Sequence, residues 1–320
     1  MDDVSLISVV IPLYNEGSHL RELLSDLKSA LEQAGCRFEV VLVDDGSSDD
    51  TWTKIKDEAR MYPDLRAIRL SRNFGKELAL CAGLERARGN AVIVMDGDGQ
   101  HPPSLLSLMI ETWRTSGADI IEAVKRRRGR ESLTSKFGAL TFYVILNKLS
   151  GFDLKGASDF KLIDRRVLDR WLTMRERNVF FRGMTAWMGF RTIQVPFEVG
   201  PRRAGKSGWS YLRRTQLALI GITTFSSFPL HLVTFAGVIF FFFAVVLGIQ
   251  TLYLKVTGRA FTGFATVILL ELIIGSLLMI SLGIIGEYLA RIYEEVKGRP
   301  RYIIAESIDL ADGARPANHG

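Results

Sequence analysis

The sequence predicts an α/β domain with a mainly parallel sheet, followed by two membrane-spanning helices. Three observations carry that prediction. Short β-branched runs alternate with helix-spaced apolar residues over roughly the first 125 positions, the pattern of successive βαβ units. Each of the first four runs leads directly into a polar cluster, at the strand ends where such sheets bind their ligands. Finally, the 40 residues Thr215–Leu254 contain no Asp, Glu, Lys or Arg.

The strands are expected at Leu6–Ile11, Phe38–Val43, Leu65–Leu70 and Ala91–Met95, continuous apolar runs of the kind buried on both faces. Helices are expected between them at Ser18–Ala34, Asp50–Tyr62 and Lys76–Arg88; in the first, Leu20, Leu23, Leu24, Leu27 and Leu31 fall on one face. A further helix, Ser104–Ser116, and strand, Asp119–Ala123, follow. The basic run Lys125-Arg126-Arg127-Arg128-Gly129-Arg130 then precedes an amphipathic stretch. In a soluble protein that stretch would be a core helix; beside a membrane segment it reads as a helix lying in the head-group layer, over 131–150. A second interfacial helix is expected over 208–228, with Arg213 and Arg214 near its start. The spans are placed at 229–254, about 39 Å long against a hydrocarbon core of ~30 Å, and at 264–286. These bounds leave a soluble domain over 1–207 and a C-terminal tail over 291–320.

The link between the spans holds only Lys255 and Arg259, whereas Arg202, Arg203, Lys206, Arg213 and Arg214 precede them and Arg291, Lys297, Arg299 and Arg301 follow. That bias puts both chain ends and the soluble domain in the cytoplasm of an inner or plasma membrane. Glu271 inside the second span is explained by snorkelling or by a pairing with Arg259. Gly275, Ser276, Gly283 and Gly286 allow close helix packing, and a homo-oligomer is expected, a tetramer being one candidate.

Bulk properties agree with a soluble domain carrying a short membrane tail. Of 320 residues 48% are apolar and 24% charged, while a mean hydropathy of +0.15 is high for a purely soluble protein. The net charge is +6. Such an excess suits nucleic acid or an anionic lipid surface; beside a membrane tail it points to lipid head groups and away from nucleic acid. Cys36 and Cys81 have no metal-ligand spacing and are expected as reduced thiols. The N-terminus lacks the basic start of a secretion signal.

The polar clusters carry the chemistry. Asp96-Gly97-Asp98 places two carboxylates at a strand end, and with Gln100 forms an oxygen-rich set suited to Mg²⁺ or Mn²⁺, which commonly complete their shell with substrate phosphates. Gly97 lets a nucleotide approach the backbone. A carboxylate such as Asp44 or Asp45 can accept the N–H of a uracil or guanine ring, and Tyr14 can stack on it.

In order, Pro12-Leu13-Tyr14-Asn15-Glu16, Asp44-Asp45-Gly46-Ser47-Ser48-Asp49 and Asp96-Gly97-Asp98-Gly99-Gln100 resemble family 2 glycosyltransferases of the GT-A fold, a Rossmann-like, mainly parallel sheet. Ser71-Arg72-Asn73-Phe74-Gly75-Lys76-Glu77, Asp159 through Val167, and Gly286-Glu287-Tyr288-Leu289 with Lys297-Gly298-Arg299-Pro300 resemble its polyprenyl-phosphate branch, which includes dolichyl-phosphate mannose synthases and bactoprenol glucosyltransferases. The resemblance spans about residues 5 to 305; the sequence departs from it in the glycines flanking Asp98. It implies that Asp96, Asp98 and Gln100 face metal and donor diphosphate. Pro12, Tyr14, Glu16, Asp44, Asp45, Ser47, Lys76 and Gly97 would bind the nucleotide sugar. Asp159 would be an acceptor-side acid, either a base or an orienting group, and Arg202 and Lys206 would belong to a loop closing over phosphates.

A polyprenyl phosphate is already largely ionised at neutral pH, its second pKa being about 6. The enzyme therefore needs cations to bring two phosphates together more than it needs a strong base. Arg126, Arg127, Arg130 and Lys136 are candidates, although attraction to anionic lipid explains them equally. The resulting reading is inverting transfer of a hexose, glucose from UDP-glucose by preference, to undecaprenyl phosphate. GDP-mannose, UDP-N-acetylglucosamine, UDP-galactose and an aminoarabinose donor stay open. A membrane-anchored nucleotide-sugar sensor is the non-enzymatic alternative.

Overall fold

A computed structural model describes residues 5–97, 99, 102, 104–125, 158–174, 176–177, 179–197, 228–258 and 263–309. The expected interfacial helix over 131–150, nearly all of that over 208–228, and Asp98, Gln100, Arg126, Arg127, Arg130, Lys136, Arg202 and Lys206 lie outside them.

The chain divides into two compact units. The first contains β1 (Leu6–Leu13), α1 (Leu20–Gln33), β2 (Arg37–Asp44), α2 (Thr51–Met61), β3 (Leu65–Leu70), α3 (Lys76–Leu84), β4 (Ala91–Val94), α4 (Ser104–Ser116), β5 (Ile120–Lys125), β6 (Lys161–Asp164), α5 (Arg165–Thr173), α6 (Phe181–Trp187) and β7 (Thr192–Phe197). The second contains two long helices, α7 (Phe228–Val256) and α8 (Phe264–Val296). The chain then returns to the first unit with β8 (Ile304–Ile308).

The eight strands form one sheet in the order β7-β5-β6-β4-β1-β2-β3-β8. The four strands read from the sequence make its parallel centre, β3-β2-β1-β4. Because the chain goes from β3 across to β4 on the other side of β1, the carboxyl ends of β1 and β4 flank the point where strand order reverses, where a ligand crevice forms. β6 runs antiparallel between β4 and β5, and β8 runs antiparallel beside β3.

The core follows from strand composition. Ile7, Val9, Val10, Ile11, Val41, Leu42, Val43 and Ala91–Val94 are almost fully buried, so both faces of the central strands are covered. Leu20, Leu23, Leu24, Leu27 and Leu31 of α1 are buried together, as their spacing predicts. Cys81 is buried, Cys36 half-buried, and both are free thiols. On α3, Gly83 allows close approach to the sheet: a Cβ there would lie 2.4 Å from Val10 Cγ1 and 3.0 Å from Val43 Cγ2.

Both helices of the second unit are long and apolar enough to cross a membrane. Helix α8 continues ten residues past Gly286, through the charged turn containing Glu287 and Arg291, which are joined by an ion pair of 3.1 Å. Strand β8 lies inside the stretch read from sequence as a tail. Its Ile-Ala-Glu-Ser-Ile pattern is short and half polar, and pairing with β3 is what makes it a strand.

The contact beneath Gly83 gives a direct test of this packing. Gly83→Val should destabilise the protein by about 1–3 kcal/mol through overpacking, read as a lower thermal unfolding midpoint; an unchanged midpoint would contradict the close seating of α3.

Candidate active site

The loops after β1, β2 and β3, at the carboxyl ends of the central strands, are each tied down by an acidic or hydroxyl side chain. After β1, Asn15 adopts a left-handed backbone (φ 56°), which Asn tolerates better than most residues. Its N–H donates to Ser47 Oγ at 2.9 Å, and its Oδ1 accepts from Ser48 N–H at 2.9 Å. This fixes the backbone beside Tyr14, which is 47% exposed at the end of β1. Glu16 is tied through its own N–H to Thr51 Oγ1.

After β2, Gly46 turns the chain with φ 66°, and a Cβ there would come within 2.4 Å of the Arg72 backbone. Asp44 and Asp45 are both buried. Asp44 Oδ1 accepts from Ser47 N–H, and Asp44 Oδ2 lies 3.3 Å from Arg69 Nε. Asp45 accepts from Phe74 N–H at 2.7 Å and Gly75 N–H at 2.9 Å, clamping the start of α3. Burial raises the Asp45 pKa, and those two N–H groups oppose the rise. Both carboxylates, expected from sequence to line the base and ribose pocket, accept bonds within the protein.

That clamp places Lys76, the first residue of α3, between two carboxylates. Its Nζ is 2.6 Å from Asp96 Oδ1 and 2.9 Å from Asp159 Oδ2. Register explains the meeting: the outermost paired residues of β4 and β6 at this end are Val94 and Lys161. Asp96 lies two residues past one and Asp159 two residues before the other. Arg182 of α6 completes the cluster, its Nη2 3.1 Å from Asp159 Oδ2 and its Nε donating to Oδ1. Beneath it, the buried Glu122–Lys161 pair (3.0 Å) accepts Ser158 N–H on Glu122 and so fixes the backbone next to Asp159.

Burial opposes the charge on both Asp159 and Lys76. For Asp159 the neighbouring Lys76 and Arg182 outweigh it and hold the carboxyl well below its ordinary range. For Lys76 the two aspartates outweigh it and raise the ammonium further. Glu77, next along α3, is different: burial, then the charge of Asp159, push it up to about 7. It accepts Phe181 N–H at 2.9 Å and so anchors the helix that carries Arg182.

Among the described residues no three His, Cys, Asp or Glu side chains converge as a metal cluster. The fit to a hard cation rests on Asp96. Its carboxylate is about one-third exposed and already holds a cation, the Lys76 ammonium. Gly97 beside it packs so close to the end of β1 that a Cβ would sit 2.4 Å from Leu13 Cδ2. Pro12 is half-buried at that strand end. Arg182 and Arg69 escaped sequence reasoning, and Glu77 stood in the Ser71–Glu77 motif without a role; the signal for Arg182 was a single cation in the apolar run Val179-Phe180-Phe181-Arg182-Gly183-Met184. A separate cavity of about 560 Å³, lined by Arg66, Arg88, Arg165 and Asp309 among others, lies toward the amino-terminal ends of β3 and β4. There Arg66 and Arg88 pair with Asp309, and Arg165 with Asp169.

Residues 8–172 match the glycosyl transferase family 2 model. The chain belongs to that family. The glycosyltransferase YkcC of Bacillus subtilis is 36% identical over 305 residues, 95% of this chain and 94% of that one. The bactoprenol glucosyl transferase of Shigella phage SfII is 36% identical over 306 residues, 94% and 98% respectively. Among solved structures, the mannosyltransferase PcManGT of Pyrobaculum calidifontis, in complex with GDP-Man and Mn²⁺, aligns with a TM-score of 0.50 at 23% identity over 68% of this chain and 63% of that one. The catalytic unit of this family 2 member is thus a GT-A-like α/β domain, as expected from sequence.

Glu77 gives the site a pH signature. Between 4.5 and about 7 the unfolded chain has released this proton and the folded chain keeps it. Stability therefore falls as pH rises through that window, by up to about 1.4 kcal/mol per pH unit. The depressed Asp159 acts in the other direction and only as pH falls below 3.8. Thermal unfolding of Glu77→Gln should consequently vary less than wild type between pH 5 and 7; parallel curves would contradict the shift at Glu77.

Proposed function

We propose that this chain transfers a hexose, by preference glucose from UDP-glucose, to a polyprenyl phosphate at the cytoplasmic face of a membrane, with inversion at the anomeric carbon. The observation that carries the reading is the Lys76–Asp96–Asp159–Arg182 cluster at the carboxyl ends of the sheet, in a chain with two helices apolar enough to span a bilayer. Relatives named bactoprenol glucosyl transferase, aligned over nearly the whole chain, support the acceptor and the sugar.

The donor nucleotide would lie over the β1 and β2 ends, against Tyr14, Glu16 and the Asp44–Ser47 turn, with its diphosphate near Asp96 and Gly97. Asp96 and Asp98, with Gln100, would hold a divalent cation, Mg²⁺ or Mn²⁺, which when bound neutralises diphosphate charge. An oxygen of the lipid phosphate attacks the anomeric carbon. The bond to the nucleotide diphosphate breaks as the new C–O bond forms, and the electron pair leaves with the diphosphate. The attacking oxygen is already ionised, so no proton must be removed. Asp159, held anionic by Lys76 and Arg182, is a weak base. It fits a positioning role, holding those two cations where donor and acceptor phosphates meet. Arg126, Arg127, Arg130, Lys136, Arg202 and Lys206 are proposed to attract and orient the acceptor phosphate. The charge bias around the helices supports cytoplasmic ends, and the small residues on α8 support a homo-oligomer.

Transfer of labelled sugar from nucleotide donors into polyprenyl phosphate tests the reading. Asp159→Asn and Asp98→Ala should each reduce the rate by at least about 100-fold, the scale of losing preorganised charge. Rates within twofold of wild type would overturn the assignment. A protein that only sensed the donor would bind it and transfer nothing.

A further inference from the structure

Strand β8 follows both long apolar helices in the chain, yet it is part of the sheet that carries the site. Several bonds seat it. Ser71 N–H donates to Ile303 O at 2.9 Å, Arg301 Nη2 to Met174 O at 2.5 Å, and the Tyr302 hydroxyl to Glu85 at 2.5 Å.

Register then aligns three charges across three strands: Asp44 on β2 opposite Arg69 on β3, and Arg69 opposite Glu306 on β8. The guanidinium uses a different nitrogen for each partner. Nε lies 3.3 Å from Asp44 Oδ2, Nη2 donates to Ser47 O at 3.3 Å, and Nη1 lies 3.3 Å from Glu306 Oε1. Asp44 is fully buried, so the cation beside it matters more than it would in water. Ser47 in turn accepts the N–H of Asn15, the residue after Tyr14 at the end of β1.

We propose that Arg69 is a positioning residue for nucleotide binding, locked in place by Glu306, so that the strand following the apolar helices completes the donor pocket. The proposal rests on the donor-site reading above and deepens it. Arg69 acts through Asp44 and Ser47 on the loops expected to face the nucleotide. Lys76, Asp159 and Arg182 are held by other bonds. Loosening the ladder therefore lowers preorganisation for the donor and leaves the chemical step alone.

The test uses the full chain in nanodiscs, titrated with UDP and with GDP in the presence of Mn²⁺, alongside transfer kinetics. Arg69→Gln and Glu306→Gln should each weaken nucleotide affinity about fivefold or more, the scale of a lost charge-assisted hydrogen bond. The kcat and the KM for polyprenyl phosphate should stay within about twofold, because the reacting cluster is untouched. Adding Glu306→Gln to Arg69→Gln should cost no further nucleotide affinity, since the other ion-pair partner of Glu306, Lys56 at 4.0 Å, lies on α2 and not on the donor loops. Arg69→Lys should not rescue, because an ammonium cannot reach three partners in fork geometry.

Single variants whose nucleotide affinity stays within twofold, or effects that add in the double variant, would overturn the ladder. If Arg69→Gln fails to fold, Glu306→Gln alone decides, because its carboxylate is nearly half exposed and the change preserves its shape. A wild type that binds neither nucleotide would overturn the donor-site reading itself, whereas one that binds both while the variants are unaffected overturns only the ladder.

Discussion

Lys76 Nζ lies between Asp96 and Asp159, 2.6 Å from one and 2.9 Å from the other, and segments more than sixty residues apart in sequence converge on it. The constraint is electrostatic. Two carboxylates brought to the end of adjacent strands repel unless a cation separates them, and repulsion grows as water is excluded. Asp45 sets the start of α3 so that Lys76 arrives there, and Glu77 sets α6 so that Arg182 joins Lys76 against the carboxylate of Asp159. On the proposed function, the donor would bring an anionic diphosphate into this arrangement. The ammonium of Lys76, the guanidinium of Arg182 and the carboxylate of Asp96 are the kinds of group that the proposed diphosphate and lipid phosphate would need.

The sequence made the parallel centre of the sheet legible because each strand is a continuous β-branched run and each helix has a distinct apolar face. The polar clusters were legible for a related reason: Asp-Asp-Gly-Ser and Asp-Gly-Asp do not continue a strand or begin a helix core, so their placement at strand ends stands out. What side chains do within a cluster was less visible. Asp44 and Asp45 are adjacent and chemically identical, yet one faces Arg69 and the other caps α3. Only the pleat and the turn at Gly46 separate those roles.

Long-range register carries the remainder. Strand β8 is five residues of mixed polarity, with no signal of its own, and becomes a strand by pairing with an exposed edge. That pairing covers an edge otherwise open to other chains and brings Glu306 beside Arg69. Arg182 carries a weak signal of the same kind, a lone cation in an apolar run, whose role shows only once α6 is docked. In both cases tertiary packing decides, over more than a hundred residues of separation.

On the proposed function, donor and acceptor phosphates meet at the Asp96–Lys76–Asp159–Arg182 cluster. A cryo-electron microscopy structure of the full chain in lipid with UDP-glucose and Mn²⁺ tests it directly. Density for the diphosphate is expected at the carboxyl ends of β1 and β4, against Asp96, with the uracil ring over Tyr14 and the Lys76 ammonium drawn away from Asp96. Nucleotide density in the arginine-lined cavity near Arg66 and Asp309, with the Asp96–Lys76–Asp159 contacts unchanged, would contradict it.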